Sequence, residues 1–169
     1  MTGSATNLLR ILTGAMRATL LITAFSTVSA GATLSTAHDL AADAKSAAHF
    51  CRPLIVLVSL AGCPHCEVVR RSHLLPLLRD ETVAPKPTIR QVEINGRENL
   101  LDFNGQATTH AEFAQRYNIN IAPAVLFLDV NGQLLTEPLM GSMIPEFYGA
   151  YFDAALNKAN ATLRAAQKH

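Results

Sequence analysis

The 169-residue chain carries 14 Lys plus Arg against 13 Asp plus Glu, with 49% hydrophobic and 16% charged residues, the profile of one globular domain and too short for two. A formal charge of +1 leaves no basic footprint for nucleic acid, which excludes that class of partner. Three cysteines are too few to staple a miniprotein, so a hydrophobic core must hold the fold, and two of the three stand as a C-x-x-C pair.

At the N-terminus, Arg10 and Arg17 precede the uncharged stretch Ala18 to Phe25, which passes into small residues ending Val28-Ser29-Ala30. This is the pattern of a secretory signal peptide over 1–30, with the folded domain over 31–169. The alternative is an uncleaved membrane anchor, although Ser and Thr are frequent in the segment for a spanning helix. Both readings carry the body of the chain across a membrane, because the arginines stay on the cytoplasmic side.

Leu40, Ala41, Ala44, Ala47 and Ala48 recur at helical spacing and predict a first helix over about 38–50, stopped by Arg52-Pro53. Leu54 to Leu60 is a continuous apolar run rich in β-branched residues, the signature of a central strand covered on both faces. A helix follows Cys66 to about Arg79, with Pro76 expected to kink it. Thr88 to Ile94 is a weaker strand candidate. Residues 95–107 read as loop, with Leu100 and Leu101 as core candidates.

Thr109-His110-Ala111-Glu112 fits a capping box that opens a short helix to about Tyr117. Ala124 to Leu128 and Leu134 to Leu139 flank Asn131-Gly132, a dipeptide suited to a tight hairpin turn. Pro145 then starts a last helix to about 160, with Phe147, Tyr148, Tyr151 and Phe152 read as a core stripe. No internal repeat or low-complexity segment is visible.

The chemistry concentrates in Gly62-Cys63-Pro64-His65-Cys66, where the buried strand gives way to a helix. A thiol at a helix N-terminus faces unpaired amides and the positive end of the macrodipole, which lowers its pKa from about 8.5 into roughly the 3.5 to 7.5 range. Cys63 is that thiol and the expected nucleophile; Cys66, three residues on, lies on the same helix face and resolves the mixed disulfide. Pro64 and His65 tune the potential, since a protonated His65 adds positive charge that favours the reduced form and makes the pair oxidising.

The competing readings of the same residues are a structural disulfide and a metal clip. A closed zinc site needs four ligands, and no second C-x-x-C or H-x-x-x-H is present, so neither a metal nor another cofactor is expected. His73 reads as a surface or boundary residue. Cys51 lies before the strand, and the seven strand residues at about 3.3 Å each set it about 23 Å from the redox cysteines, too far to pair with them, so it reads as a small buried hydrophobe.

The strand-CPHC-helix unit, Pro76 and Ile121-Ala122-Pro123 before a strand and hairpin resemble the thioredoxin-like family over 38–160. The resemblance implies an α/β thioredoxin fold, a central mixed sheet flanked by helices in a single domain. It also implies that Pro123 is cis beside the redox pair, that the Ala122 backbone pairs with substrate, and that Gly141 lets a partner approach the same surface. An X-Pro bond tolerates cis far better than others, which gives Pro123 a physical reason of its own.

The secreted context is most similar to periplasmic thioredoxins of the SoxW and TlpA type, which implies protein thiols or disulfides as substrates and a membrane redox partner. CPHC itself is shared with the oxidant DsbA, but the stretch from Cys66 to Pro123 is too short for the helical insertion of DsbA-like proteins. One departure concerns proton transfer. Such proteins often carry an acid six residues before the first cysteine, and this chain has Leu57 there; Glu67 or a water is left to do that work. The expected activity is secreted thiol-disulfide exchange, with a non-catalytic metal-delivery module on the same cysteines as the alternative.

Overall fold

The computed structural model describes residues 33–141 and 145–166, so the signal or anchor segment expected over 1–30 lies outside the described residues. Four strands form the central sheet in the order β2 (Ile89–Glu93), β1 (Leu54–Ser59), β5 (Ala124–Leu128) and β6 (Leu139–Met140). β1 runs parallel to β2 and antiparallel to β5, and β5 pairs antiparallel with β6. This mixed sheet, entered from β1 through a crossover helix, is the thioredoxin fold, and the described residues form one unit.

All six residues of β1 are buried because helices cover both faces of the sheet. On one face Leu54, Val56 and Val58 pack with Val92, Leu126 and the helices α1 (Leu40–His49) and α4 (His110–Arg116). On the other, Ile55 and Leu57 pack with Ile89, Phe127 and residues of the helix after the cysteine motif and of α5 (Pro145–Ala166). The period-2 alternation of β1 thus feeds two separate cores. Among the described residues, no helix is long and apolar enough to cross a membrane.

The helix after the motif is not uniformly α-helical ahead of Pro76. α2 (Pro64–Val69) passes into a π-helical turn at Arg70–Leu74 and then α3 (Leu75–Arg79), and the Leu75 amide donates to the Arg70 carbonyl five residues back. Proline has no amide and crowds the carbonyl four residues before it, so the extra residue in the turn absorbs the misfit.

Several expectations are corrected. Residues 95–107 are not all loop: β3 (Asn99–Leu101) pairs antiparallel with β4 (Ala107–Thr109), burying Leu100 and leaving Leu101 exposed. The hairpin partner of β5 is interrupted. Leu134 bridges Leu128 and the Leu135 amide donates to Phe127, but regular pairing resumes only at β6, past Pro138, which lacks a ladder donor. Gly132 serves that turn at φ +78°, and a Cβ there would strike the Phe103 ring.

The expected aromatic stripe is halved. Tyr148 and Phe152 are buried, whereas Phe147 and Tyr151 stand 59% and 60% exposed on the neighbouring helix face. Cys51 is exposed rather than buried, because it takes a left-handed φ of +54° just past the end of α1, where the Arg52 amide donates back to Ala47.

The capping box at α4 is present, with the Glu112 amide donating to Thr109 and the Thr109 amide to the Glu112 carboxylate. Beside it, Asp102 accepts from the amides of Gln106 and Asn104 at 2.9 and 2.8 Å and from Arg116 at 3.0 Å. These donors, the Gln106 amide foremost, hold its carboxyl below the usual range. A depressed folded pKa contributes stability above the ordinary carboxylate range that is lost as pH falls through it. Asp102→Asn should therefore be destabilising near neutrality and should flatten the fall of urea-unfolding stability toward acid pH; an unchanged acid slope contradicts the assignment.

Candidate functional site

The end of β1 leads into the site through a tight turn. The Cys63 amide donates to the Leu60 carbonyl, and Gly62 adopts φ +71°, a conformation that suits a residue without a Cβ. Cys63 is then the N-cap of α2, extended at φ −81° and ψ 110°, with Pro64 at the first helical position. Its sulfur accepts from the Cys66 amide at 3.1 Å, so it takes up one of the first-turn donors that the helix itself leaves unpaired.

Cys63 and Cys66 are joined by a disulfide, with Cα atoms 5.3 Å apart. Their environments differ sharply. Cys66 is 1% exposed, whereas Cys63 is half-buried and Pro64 and His65 are exposed. A visitor can reach the first sulfur and not the second.

Sheet register brings the expected docking residues to the same end. Val58 pairs with Ala124, so Pro123 lies one residue beyond, level with the exit of β1 toward Cys63. The Ala122–Pro123 bond is cis, as is Ala84–Pro85, which the sequence reading did not anticipate. Gly141, at φ +69°, donates its amide to the Pro123 carbonyl at 2.7 Å and so borders the same loop. Ala122 is half-buried and Pro123 buried, while Leu60, Ile121 and Met140 stand exposed at this end.

A groove of about 310 Å³ opens beside Cys63, lined by Gly62, Pro64, Glu67, Arg70 and Glu93 among others. Arg70 anchors it, donating to Glu67, to Ser59 Oγ at 3.3 Å and through two nitrogens to Gln91 Oε1 at 3.0 and 2.9 Å. The Gln91 amide in turn donates to Glu93 Oε1 at 2.8 Å. Sequence reasoning missed Ser59, Arg70, Gln91 and Glu93. The available signal was parity: Gln91 and Glu93 share the inward face of Ile89, where an apolar residue is the default.

Glu67 carries both Arg70 and Arg71 on its carboxylate, and these partners, the Arg71 hydrogen bond foremost, hold its pKa down. His73 is a boundary residue against the Tyr148 and Phe152 rings, 4.9 and 5.9 Å away, and burial pushes its pKa down. Among the described residues no three His, Cys, Asp or Glu side chains cluster as metal ligands.

No family model and no curated protein matches this chain. Among solved structures it is similar to a thioredoxin-fold protein from Helicobacter pylori, at 20% identity over 69% of this chain and 85% of that one, with a TM-score of 0.42. It is also similar to mitochondrial thioredoxin 3 from Saccharomyces cerevisiae in its oxidized form, at 11% identity over 73% and 93% of the chains and a TM-score of 0.47. A poplar thioredoxin h aligns at 13% identity over 71% and 96%, with a TM-score of 0.44. The fold assignment itself rests on the strand order and register described above.

Proposed function

We propose that this chain is an exported thiol-disulfide oxidoreductase acting on partner proteins, with Cys63 as nucleophile and Cys66 as resolving thiol. The observation that carries the reading is the asymmetry of the pair: an accessible sulfur at a helix N-terminus bonded to a buried one three residues on. In the reduced protein the Cys63 thiolate attacks a partner disulfide and releases one partner thiol. Cys66 then loses its proton, attacks the Cys63 sulfur and releases the second, so two electrons and two protons pass to the partner. Oxidation of a partner dithiol runs the same steps in reverse.

Ala122, Pro123 and Gly141 form the proposed docking surface for the partner backbone, with Leu60, Ile121 and Met140 offering apolar contact around it. The N-terminal pattern of arginines, apolar run and small residues supports export to a periplasm and a SoxW- or TlpA-like setting with a membrane redox partner. Pro64 and His65 set the potential. Equilibration against glutathione buffers should give a value above the about −270 mV of thioredoxin, and His65→Ala should lower it. A protein that exchanges with no disulfide under any glutathione ratio contradicts the proposal.

A further inference from the structure

Resolution of a mixed disulfide needs a base, because Cys66 attacks only as a thiolate and its sulfur is buried away from bulk water. The strand beneath it supplies none, since β1 is apolar up to Ser59. Glu67, next in sequence, has its carboxylate occupied by two guanidiniums, and a carboxylate so held is a poor proton acceptor.

Glu93 differs from Glu67 in the one respect that matters. Its Oε1 is tied to the Gln91 amide, which Arg70 orients by taking the Gln91 oxygen, while its Oε2 is buried and makes no hydrogen bond within the described structure. An orphaned carboxylate oxygen is costly unless something uses it. This one belongs to a residue lining the groove that Cys63 also lines, and a groove of about 310 Å³ admits several waters.

Resting on the exchange reading above, we infer that Glu93 accepts the Cys66 proton and hands it to solvent through this groove, with Arg70 and Gln91 as positioning residues. In this step the Cys66 S–H bond breaks and its proton passes to Glu93 Oε2. The resulting thiolate forms the bond to Cys63 sulfur, the Cys63–partner bond breaks, and the partner leaves as a thiolate. The charged and titratable groups around Glu93 are Glu67 of α2, Arg70 of the π-helical turn, and His110 of α4, whose Nδ1 accepts the Glu93 amide at 3.2 Å and which also lies 3.5 Å from Glu98.

The test is a single-turnover reaction of the reduced protein with a peptide whose disulfide carries a chromogenic thiol. Colour release reports the Cys63 attack; acid quench and mass analysis report loss of the peptide from Cys63. Glu93→Gln, nearly identical in shape, should leave colour release and thermal unfolding unchanged, slow resolution about 100-fold and remove one ionisation from its pH profile. Glu93→Asp should restore part of the rate, and Gln91→Met, which frees the carboxylate from its anchor, should give intermediate slowing. Wild-type resolution rate and pH profile in Glu93→Gln overturn the role of Glu93 alone, whereas absence of colour release from the wild-type protein overturns the exchange reading and this role with it.

Discussion

Cys63→Ser reduces exchange with any protein disulfide to background, while Cys66→Ser still attacks but holds its partner as a stable mixed disulfide. The two losses differ because the sulfurs sit in different places. Cys63 receives the amide of Cys66 at 3.1 Å and caps α2, so it is the atom on which the helix terminus concentrates its positive potential. Serine is itself a preferred N-cap, so the helix keeps its cap in Cys63→Ser and the lost activity reports the missing thiolate rather than a missing structure. Removing Cys66 leaves that nucleophile in place and takes away only the second attack. Retention of full turnover in Cys63→Ser, with circular dichroism unchanged, would sink the assignment.

Phe127→Ala lowers stability by about 3–5 kcal/mol, roughly 10 °C or more in thermal midpoint for a domain of this size. Phe127 is fully buried near the end of β5, pairs in register with Ile55 and meets the Phe152 ring at 5.7 Å, so truncation opens a cavity where sheet and α5 join. β5 is paired with β1 along its length and the Leu135 amide donates to the Phe127 carbonyl, so the backbone around the cavity relaxes little. Phe147→Ala is the control. With 59% of its surface already exposed, it should cost no more than about 0.5 kcal/mol. Equal losses for the two variants would contradict the division of the aromatic residues between the faces of α5.

How much of this was legible in the sequence depends on the length scale of each signal. β1 could be read because six consecutive residues are covered on both faces, and α4 because the capping box places two mutually dependent residues three apart. The cysteine motif could be read because its chemistry is local. β3, β4 and β6 hold three, three and two residues, too few for alternation to emerge, and they form because the sheet register and β-turns offer them partners. The aromatic cluster on α5 was misjudged by treating all four rings as one stripe, although positions 147 and 151 are one helical turn apart on one face and 148 and 152 on the next.

The groove was the least legible part of the site. Ser59, Arg70, Gln91 and Glu93 come from β1, the π-helical turn and β2, and they converge only because β1 pairs in parallel with β2 at Ser59 and Glu93. No window along the chain contains them. Cys51 was misplaced for a related reason. Its burial was inferred from residue type, whereas its position just beyond a helix end, with the backbone turned left-handed, sets it on the surface.

The most direct measurement is peptide mapping of the conjugate that Cys66→Ser forms with a disulfide-bearing protein. The helix-capping sulfur should carry the partner, in a one-to-one adduct joined to Cys63. A partner found on the exposed Cys51, or no adduct with a protein that is otherwise folded, would show that the sulfur at the head of α2 is not the one that reacts.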